Sequence, residues 1–206
     1  MSIFRRLNFK IILAITILGF ASNAVFSENY KENIYLDMVK GNSDAKVTIV
    51  EYASFTCPHC ATFHKEIFPQ LREQYIDTGK VKFIYREVYF DAPGLWGGLL
   101  ARCVSPEKYF GIVDLLYKKQ SKWASGSTEK EILNELFSIG RQVGMEDEQI
   151  NKCMQNKEKS LKMIDAYLEN SKIDKISSTP SLVINGKLLK PNNFDDLAVE
   201  IDKILE

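Results

Sequence analysis

At Cys57 the hydrophobic pattern of the chain changes period, and few folds accommodate the change where it falls. Before it, Val47-Thr48-Ile49-Val50-Glu51-Tyr52 is β-branched and nearly continuously apolar, as a central strand buried on both faces would be. After it, Cys60, His64, Ile67, Phe68, Leu71 and Tyr75 recur at spacings of three and four, so one face of a helix turns inward. Thr78-Gly79 ends that helix with a residue suited to the left-handed region. Pro69 inside it predicts a kink. Val81 to Val88 is a second strand. Strand, helix, strand predicts a parallel pair with a right-handed crossover. At its pivot, Cys57-Pro58-His59-Cys60 places one cysteine at a helix N-terminus and the other about one turn in.

The remaining elements follow from turn and capping signals. Residues 28–41 read as a lead-in, with Asn42-Ser43-Asp44 as a turn. Asp91-Ala92-Pro93-Gly94 is a turn before a helix from Leu95 to Val104. Ser105 caps a second helix with Pro106 in its first position, carrying Tyr109, Phe110, Val113, Leu116 and Tyr117. After Ser125-Gly126-Ser127, Thr128 and Glu131 form a capping box for a third helix ending before Gly144, with Ile132, Leu136, Phe137 and Val143 inward. Short helices surround Cys153 and run from Glu158 to Glu169. Ser181 to Ile184 is a strand, Asn185-Gly186 a hairpin turn, and Lys187-Leu188-Leu189 the returning strand. Phe194, Leu197, Ile201 and Leu205 mark a last helix. The order is β-α-β, a helical block, then β-β-α.

Composition narrows the setting. The 206 residues are 45% hydrophobic and 26% charged, which suits one globular domain with an insertion. Basic and acidic residues number 27 each, so no charge surplus points to nucleic acid. Arg5, Arg6 and Lys10 precede an apolar run from Ile11 to Phe20, followed by Ser22 and Ala24. That is the pattern of a signal peptide over residues 1–24, cut after Ala24 or after Ser27. An uncleaved N-terminal membrane anchor is the alternative, with an apolar run short of the roughly 20 residues a spanning helix needs. Cleavage after Ala24 leaves a chain of net charge −3, with 24 basic and 27 acidic residues. Export favours oxidised thiols, and the four cysteines, Cys57, Cys60, Cys103 and Cys153, are an even number.

A C-x-x-C pair fits a metal clip, a structural staple or a reactive dithiol. Cys57, Cys60 and His64 supply three ligands where a structural zinc site takes four, so no metal is expected. His64 shares a face with Ile67, Phe68 and Leu71 and reads as a packed core histidine. A staple closing two residues constrains little. A reactive pair uses the position best. Unpartnered backbone amides and the helix dipole favour a thiolate at Cys57, with Pro58 and His59 tuning it. Cys60, facing inward, would be the shielded resolving partner. Pro180 opens the strand at Ser181 rather than interrupting it, and its peptide bond can be cis or trans. No nucleotide-binding glycine motif occurs, and no cofactor is expected beyond the Cys57–Cys60 disulfide itself.

The segment from Val47 through Cys60, the run from Tyr109-Phe110-Gly111 to Gln120 and Trp123, and Ser178-Thr179-Pro180 through Asn185-Gly186 resemble the DsbA family of periplasmic thiol:disulfide oxidoreductases. The resemblance covers nearly all of residues 25–206. It implies an α/β fold of thioredoxin type, with halves at about 45–92 and 172–206 and a helical insertion at about 93–171. It implies that Cys57 is the attacked sulfur and Cys60 the resolving one. Pro180 would be cis, with Thr179 beside the thiols to bind an extended substrate. Glu51 would be a buried acid that handles protons. The lysine that partners this acid in some members is matched by Tyr85, and Thr179 stands where the most familiar member has valine. Cys103 and Cys153 are not in every member; a structural bridge and two buried free thiols are the two readings. The implied activity is donation of a disulfide to reduced exported proteins, with reoxidation by a membrane quinone-linked partner, by a monomer in the periplasm. An isomerase or reductase, or a peptide-binding or chaperone module with idle thiols, are the alternatives.

Overall fold

The computed structural model describes residues 37–206. The expected leader at 1–24 and most of the lead-in lie outside the described residues. Five strands form a mixed sheet: β1 (Met38–Gly41), β2 (Val47–Ala53), β3 (Val81–Glu87), β4 (Ser181–Ile184) and β5 (Lys187–Leu189), in the order β1-β3-β2-β4-β5. β2 is central, parallel to β3 and antiparallel to β4, and every residue but Thr48 is buried. This is the thioredoxin-type sheet with the helical block between β3 and β4. β1 is a strand where the sequence suggests only a lead-in. It has four residues and a lysine, and pairs on one side only, with Met38 opposite Tyr85 and Gly41 opposite Lys82. So short an edge strand has too few positions to display a period. At Gly41 (φ +93°) a Cβ would lie 2.4 Å from the Val81 carbonyl oxygen, so only glycine lets the chain turn this close to β3.

The two faces of the sheet carry unequal cores. Val47, Ile49, Ala53, Phe83 and Tyr85 enter the main cluster, shared with Phe63, Leu71, Leu116 and the last helix. Val50, Tyr52, Ile84, Val88 and Val183 form a smaller cluster beneath Tyr167 and Ile176.

The helix after Cys57 is broken at Ile67 into α1 (Pro58–Glu66), α2 (Phe68–Leu71) and a π-helical turn (Arg72–Ile76), where the Asp77 amide donates to the Arg72 carbonyl at 2.8 Å. Pro69 has no amide proton to continue the ladder, so the interruption falls where the sequence places the kink. α3 (Ala92–Ala101) begins and ends three residues earlier than expected. Asp91, read as part of a turn, accepts from the Gly94 amide at 2.7 Å and caps the helix. Pro93 then sits in the first turn, where its missing proton costs nothing.

Four helices follow: α4 (Pro106–Lys118), α5 (Gln120–Trp123), α6 (Glu129–Gln142) and α7 (Asp147–Met154). Ser105 occupies the cap position of α4, but its hydroxyl caps no backbone amide of the helix. The capping box of α6 is present, the Thr128 hydroxyl accepting from the Glu131 amide and the Glu131 carboxylate from the Thr128 amide. α8 (Lys157–Ile173) outruns the expected Glu158–Glu169 because most of its surface is polar, burying only Met163, Ala166 and Asn170. α9 (Phe194–Leu205) closes the chain.

Polar ties lock these layers. Arg102 donates to both Glu87 oxygens, at 2.7 and 2.6 Å, and the Tyr109 hydroxyl donates to Glu87 at 2.8 Å, joining α3 and α4 to β3. At the hairpin, Asn185 (φ +45°) and Gly186 (φ +82°) take the conformation such a turn requires. The Asn185 side chain accepts from the Thr48 amide at 2.7 Å and donates to the Lys46 carbonyl at 3.1 Å.

A disulfide joins Cys103, just beyond α3, to Cys153 in α7, closing a separation of 50 residues. In the chain-entropy treatment a loop of this size contributes about 4 kcal/mol. The double variant Cys103→Ala/Cys153→Ala should lose up to about that much stability in urea unfolding without reductant. An unchanged midpoint would show that the bridge restricts nothing in the unfolded chain.

Candidate active site

β2 runs through Ser54, Phe55 and Thr56 into Cys57, the N-cap residue of α1. Three side chains hold this passage. Buried Gln120 in α5 donates its amide protons to the carbonyls of Phe55 (2.8 Å) and Cys57 (2.9 Å). Thr56 donates to the Asp91 carboxylate at 2.9 Å and lies 3.0 Å from the Ser54 hydroxyl. Tyr117 donates to the Ser54 carbonyl at 3.3 Å. Carbonyls on so tight a turn cannot all find partners in the helix, and the helical block supplies them.

The two thiols are reduced and differ sharply. Cys57 is half-buried, whereas Cys60 is 0% exposed. The Cys57 thiol is lowered from the ordinary value near 9 to about 5. The largest cause is a hydrogen bond from Cys60; burial opposes it, and the Thr179 side chain and the amides of Cys60 and His59 add further support. The backbone amides favour the thiolate as the sequence predicts, but the neighbouring thiol contributes most. Cys60 moves the opposite way, far above its ordinary range, chiefly because burial penalises its anion and next because it is the donor to Cys57. The negative charge of Glu51 adds to this.

The Thr179–Pro180 peptide is cis, and the Thr179 carbonyl lies 3.5 Å from the Cys57 sulfur. The two groups of Thr179 pull apart: the carbonyl can only accept, which favours the thiol, while the hydroxyl donates and favours the thiolate. The net shift of Cys57 is downward, so the donors prevail. Pro58 and His59 are exposed at the helix start.

Beneath the thiols is a layer in which the sequence singles out Glu51 and Tyr85 but not the histidine that joins them. Glu51, wholly buried on β2, meets His64 Nε2 at 3.0 Å. The His64 ring stacks on Tyr117, with centroids 4.1 Å apart and planes 20° from parallel. Tyr117 and Tyr85 share a hydrogen bond of 2.6 Å, and Tyr85 lies beside Glu51 in the strand register. His64 is therefore more than a packed core side chain: it is the polar partner of the buried acid. Its position one turn beyond Cys60 on the inward face was the available signal. Gln120 had none beyond being a polar residue among apolar ones. Among the described residues, no group of three or more His, Cys, Asp or Glu side chains is arranged to hold a metal.

A thioredoxin family model, Thioredoxin_4, matches residues 35–203. The chain belongs to that family. Within the thioredoxin family it is similar to a Rickettsia bellii protein provisionally named a protein-disulfide oxidoreductase, 34% identical over 171 residues and 82% of this chain. It is also similar to disulfide bond formation protein D of Bacillus subtilis, 27% identical over 173 residues, covering 82% of this chain and 77% of that one. The structure resembles Wolbachia pipientis alpha-DsbA1, with a TM-score of 0.76 and 26% identity over 84% of this chain and 95% of that one. The resemblance to DsbA proteins thus extends from motifs to the whole fold. The chain spans just under two thirds (65%) of the length of the Rickettsia bellii relative.

Titration of the reduced protein by thiolate absorbance should give a midpoint at about 5 that disappears in Cys57→Ala. Because the folded value is the lower one, the unfolded chain binds more protons between about pH 5 and the unfolded thiol value near 9. Stability of the reduced form should therefore rise with pH across that window and be lost as pH falls through 5, with the oxidised form showing no such rise. Gln120→Leu leaves the Phe55 carbonyl without its donor and removes one of the donors to the Cys57 carbonyl, and should cost about 2 kcal/mol in chemical denaturation.

Proposed function

We propose that the protein is an exported thiol:disulfide oxidoreductase that donates the Cys57–Cys60 disulfide to reduced substrate proteins. The asymmetry of the two sulfurs carries this reading: a thiolate-favouring Cys57 beside a wholly buried Cys60. In the oxidised form a substrate thiolate attacks Cys57. The Cys57–Cys60 bond breaks, and a mixed disulfide joins substrate to Cys57. A second substrate thiolate attacks the substrate sulfur, forming the substrate disulfide and releasing Cys57 as a stabilised anion. Two electrons pass from the substrate thiols to the cysteine pair. Support for Cys57 in its reduced state is what makes the oxidised state a stronger oxidant. Cis Pro180 leaves the Thr179 backbone beside Cys57, where an extended substrate segment can align. Pro58 and His59 lie in the approach, and Glu51 handles the Cys60 proton.

Working in a periplasm as a monomer and being reoxidised by a membrane quinone-linked partner are parts of the same proposal. The name of the Bacillus subtilis relative, a disulfide bond formation protein, favours the donor direction. Among the described residues no helix is long and apolar enough to cross a membrane. An isomerase or reductase is the second reading; the Thr179 hydroxyl, which supports the thiolate, counts on the donor side.

The test is oxidation of a reduced, unfolded ribonuclease, with Cys57→Ala alongside. The parent should accelerate disulfide formation, and the variant, lacking the attacked sulfur, should not. Equal rates would leave a peptide-binding module with idle thiols. The reduction potential against glutathione sets direction: a value well above that of glutathione supports a donor, and one below it a reductase.

A further inference from the structure

The chemistry above leaves one difficulty at Cys60. This sulfur is fully buried, yet it must lose a proton each time it attacks Cys57 and regain one each time it leaves. Solvent has no direct route to it. A group inside the protein must hold the proton in the interval.

The Glu51–His64 pair is built for that. Its side chains are 0% and 3% exposed and share one hydrogen bond of 3.0 Å. Each keeps a second polar atom, Glu51 Oε1 and His64 Nδ1, buried and without a hydrogen-bond partner among the described residues. A pair kept only for packing would leave such atoms at a cost of about 1–3 kcal/mol each. A carboxylate and an imidazole together can carry one proton as a neutral unit, or release it and carry a negative charge. His64 lies four residues beyond Cys60 on the same helix, and Glu51 acts on the Cys60 thiol through space. The nearest neighbours of the pair add no second base. From β3 the facing group is Tyr85, and from α4 they are Tyr117 and, at longer range, Asp114, which pairs with Arg72. Both tyrosines are held protonated by burial.

We propose that His64 is a positioning residue for disulfide exchange, orienting Glu51 and sharing the proton that Cys60 gives up and takes back. This rests on the thiol-exchange reading above. When Cys60 attacks a mixed disulfide at Cys57, the Cys57–substrate bond breaks and the Cys57–Cys60 bond forms. The substrate leaves as a thiolate, and the Cys60 proton passes to the Glu51–His64 pair. In the reverse direction the pair returns the proton to the departing Cys60 thiolate. No other oxidant or reductant enters.

Oxidised glutathione separates the steps. Added to the reduced protein, it is first attacked by Cys57, giving a glutathione adduct. Cys60 then expels the glutathione. Acid quenching and mass spectrometry follow both steps against pH. In His64→Gln an amide can still donate to Glu51 but cannot take up a second proton. A purely structural bond would survive that change. The second step should be slower by about tenfold or more in His64→Gln, typical of losing a proton-transfer group. Its rate should climb steadily with pH where the parent levels off. Identical pH profiles for the second step would overturn the role of His64 while leaving exchange at Cys57 intact. Absence of the first adduct in the parent would instead sink thiol exchange itself, and this role with it. Should His64→Gln not fold, the ring nitrogen chemical shifts of His64 in the parent decide. A change between oxidised and reduced protein supports the proposal, and identical shifts refute it.

Discussion

The site depends on the inequality of two sulfur atoms three residues apart. One stands half-buried at the start of a helix and the other is sealed beneath it. The inequality is self-reinforcing, because the proton Cys60 cannot afford to lose is the one it lends to Cys57 by hydrogen bond. Burial raises the inner thiol, the inner thiol then acts as donor, and the outer thiol becomes an anion. Separating the two cysteines from this helix start would leave only a pair of ordinary thiols.

The rest of the structure keeps that helix start in place. β2 brings the chain to Cys57 from the centre of the sheet, where both neighbouring strands fix its register. The helical block reaches over from the opposite side. Gln120 secures the backbone of the turn, and Arg102 and Tyr109 fasten the block to Glu87 on β3. Buried charge is tolerated at Glu87 because both carboxylate oxygens are engaged by a planar, two-pronged donor. Glu51 is less fully satisfied, its Oε1 being buried without a hydrogen-bond partner among the described residues.

Much of this could be read from one sequence because its strongest signals were local. The change of period at Cys57, the Thr128–Glu131 box and Asn185-Gly186 each depend on residues a few positions apart, and all appear in the fold. What escaped depends on distant partners. β1 exists because β3 offers an edge to a four-residue segment. The start of α3 escaped because Asp91 and Pro93 suit a turn and a first helical turn equally well. His64 looked apolar in its placement, and only the strand register brings Glu51 beneath it. Gln120 sits 63 residues from the carbonyl it supports at Cys57, a distance no periodicity spans.

The fastening at Asn185 has a reach beyond its own turn. β4 is only four residues long, with Thr179–Pro180 just before it and Asn185 just after, and the Asn185 side chain grips the backbone at the beginning of β2 while Cys57 follows its end. The strand therefore works as a ruler between the hairpin and the sulfur. Slipping it by a single residue would carry the Thr179 carbonyl about 3.3 Å along the sheet, roughly the whole width of the gap it now keeps from Cys57, so the tightness of a surface turn on one side of the domain calibrates the clearance beside the sulfur on the other.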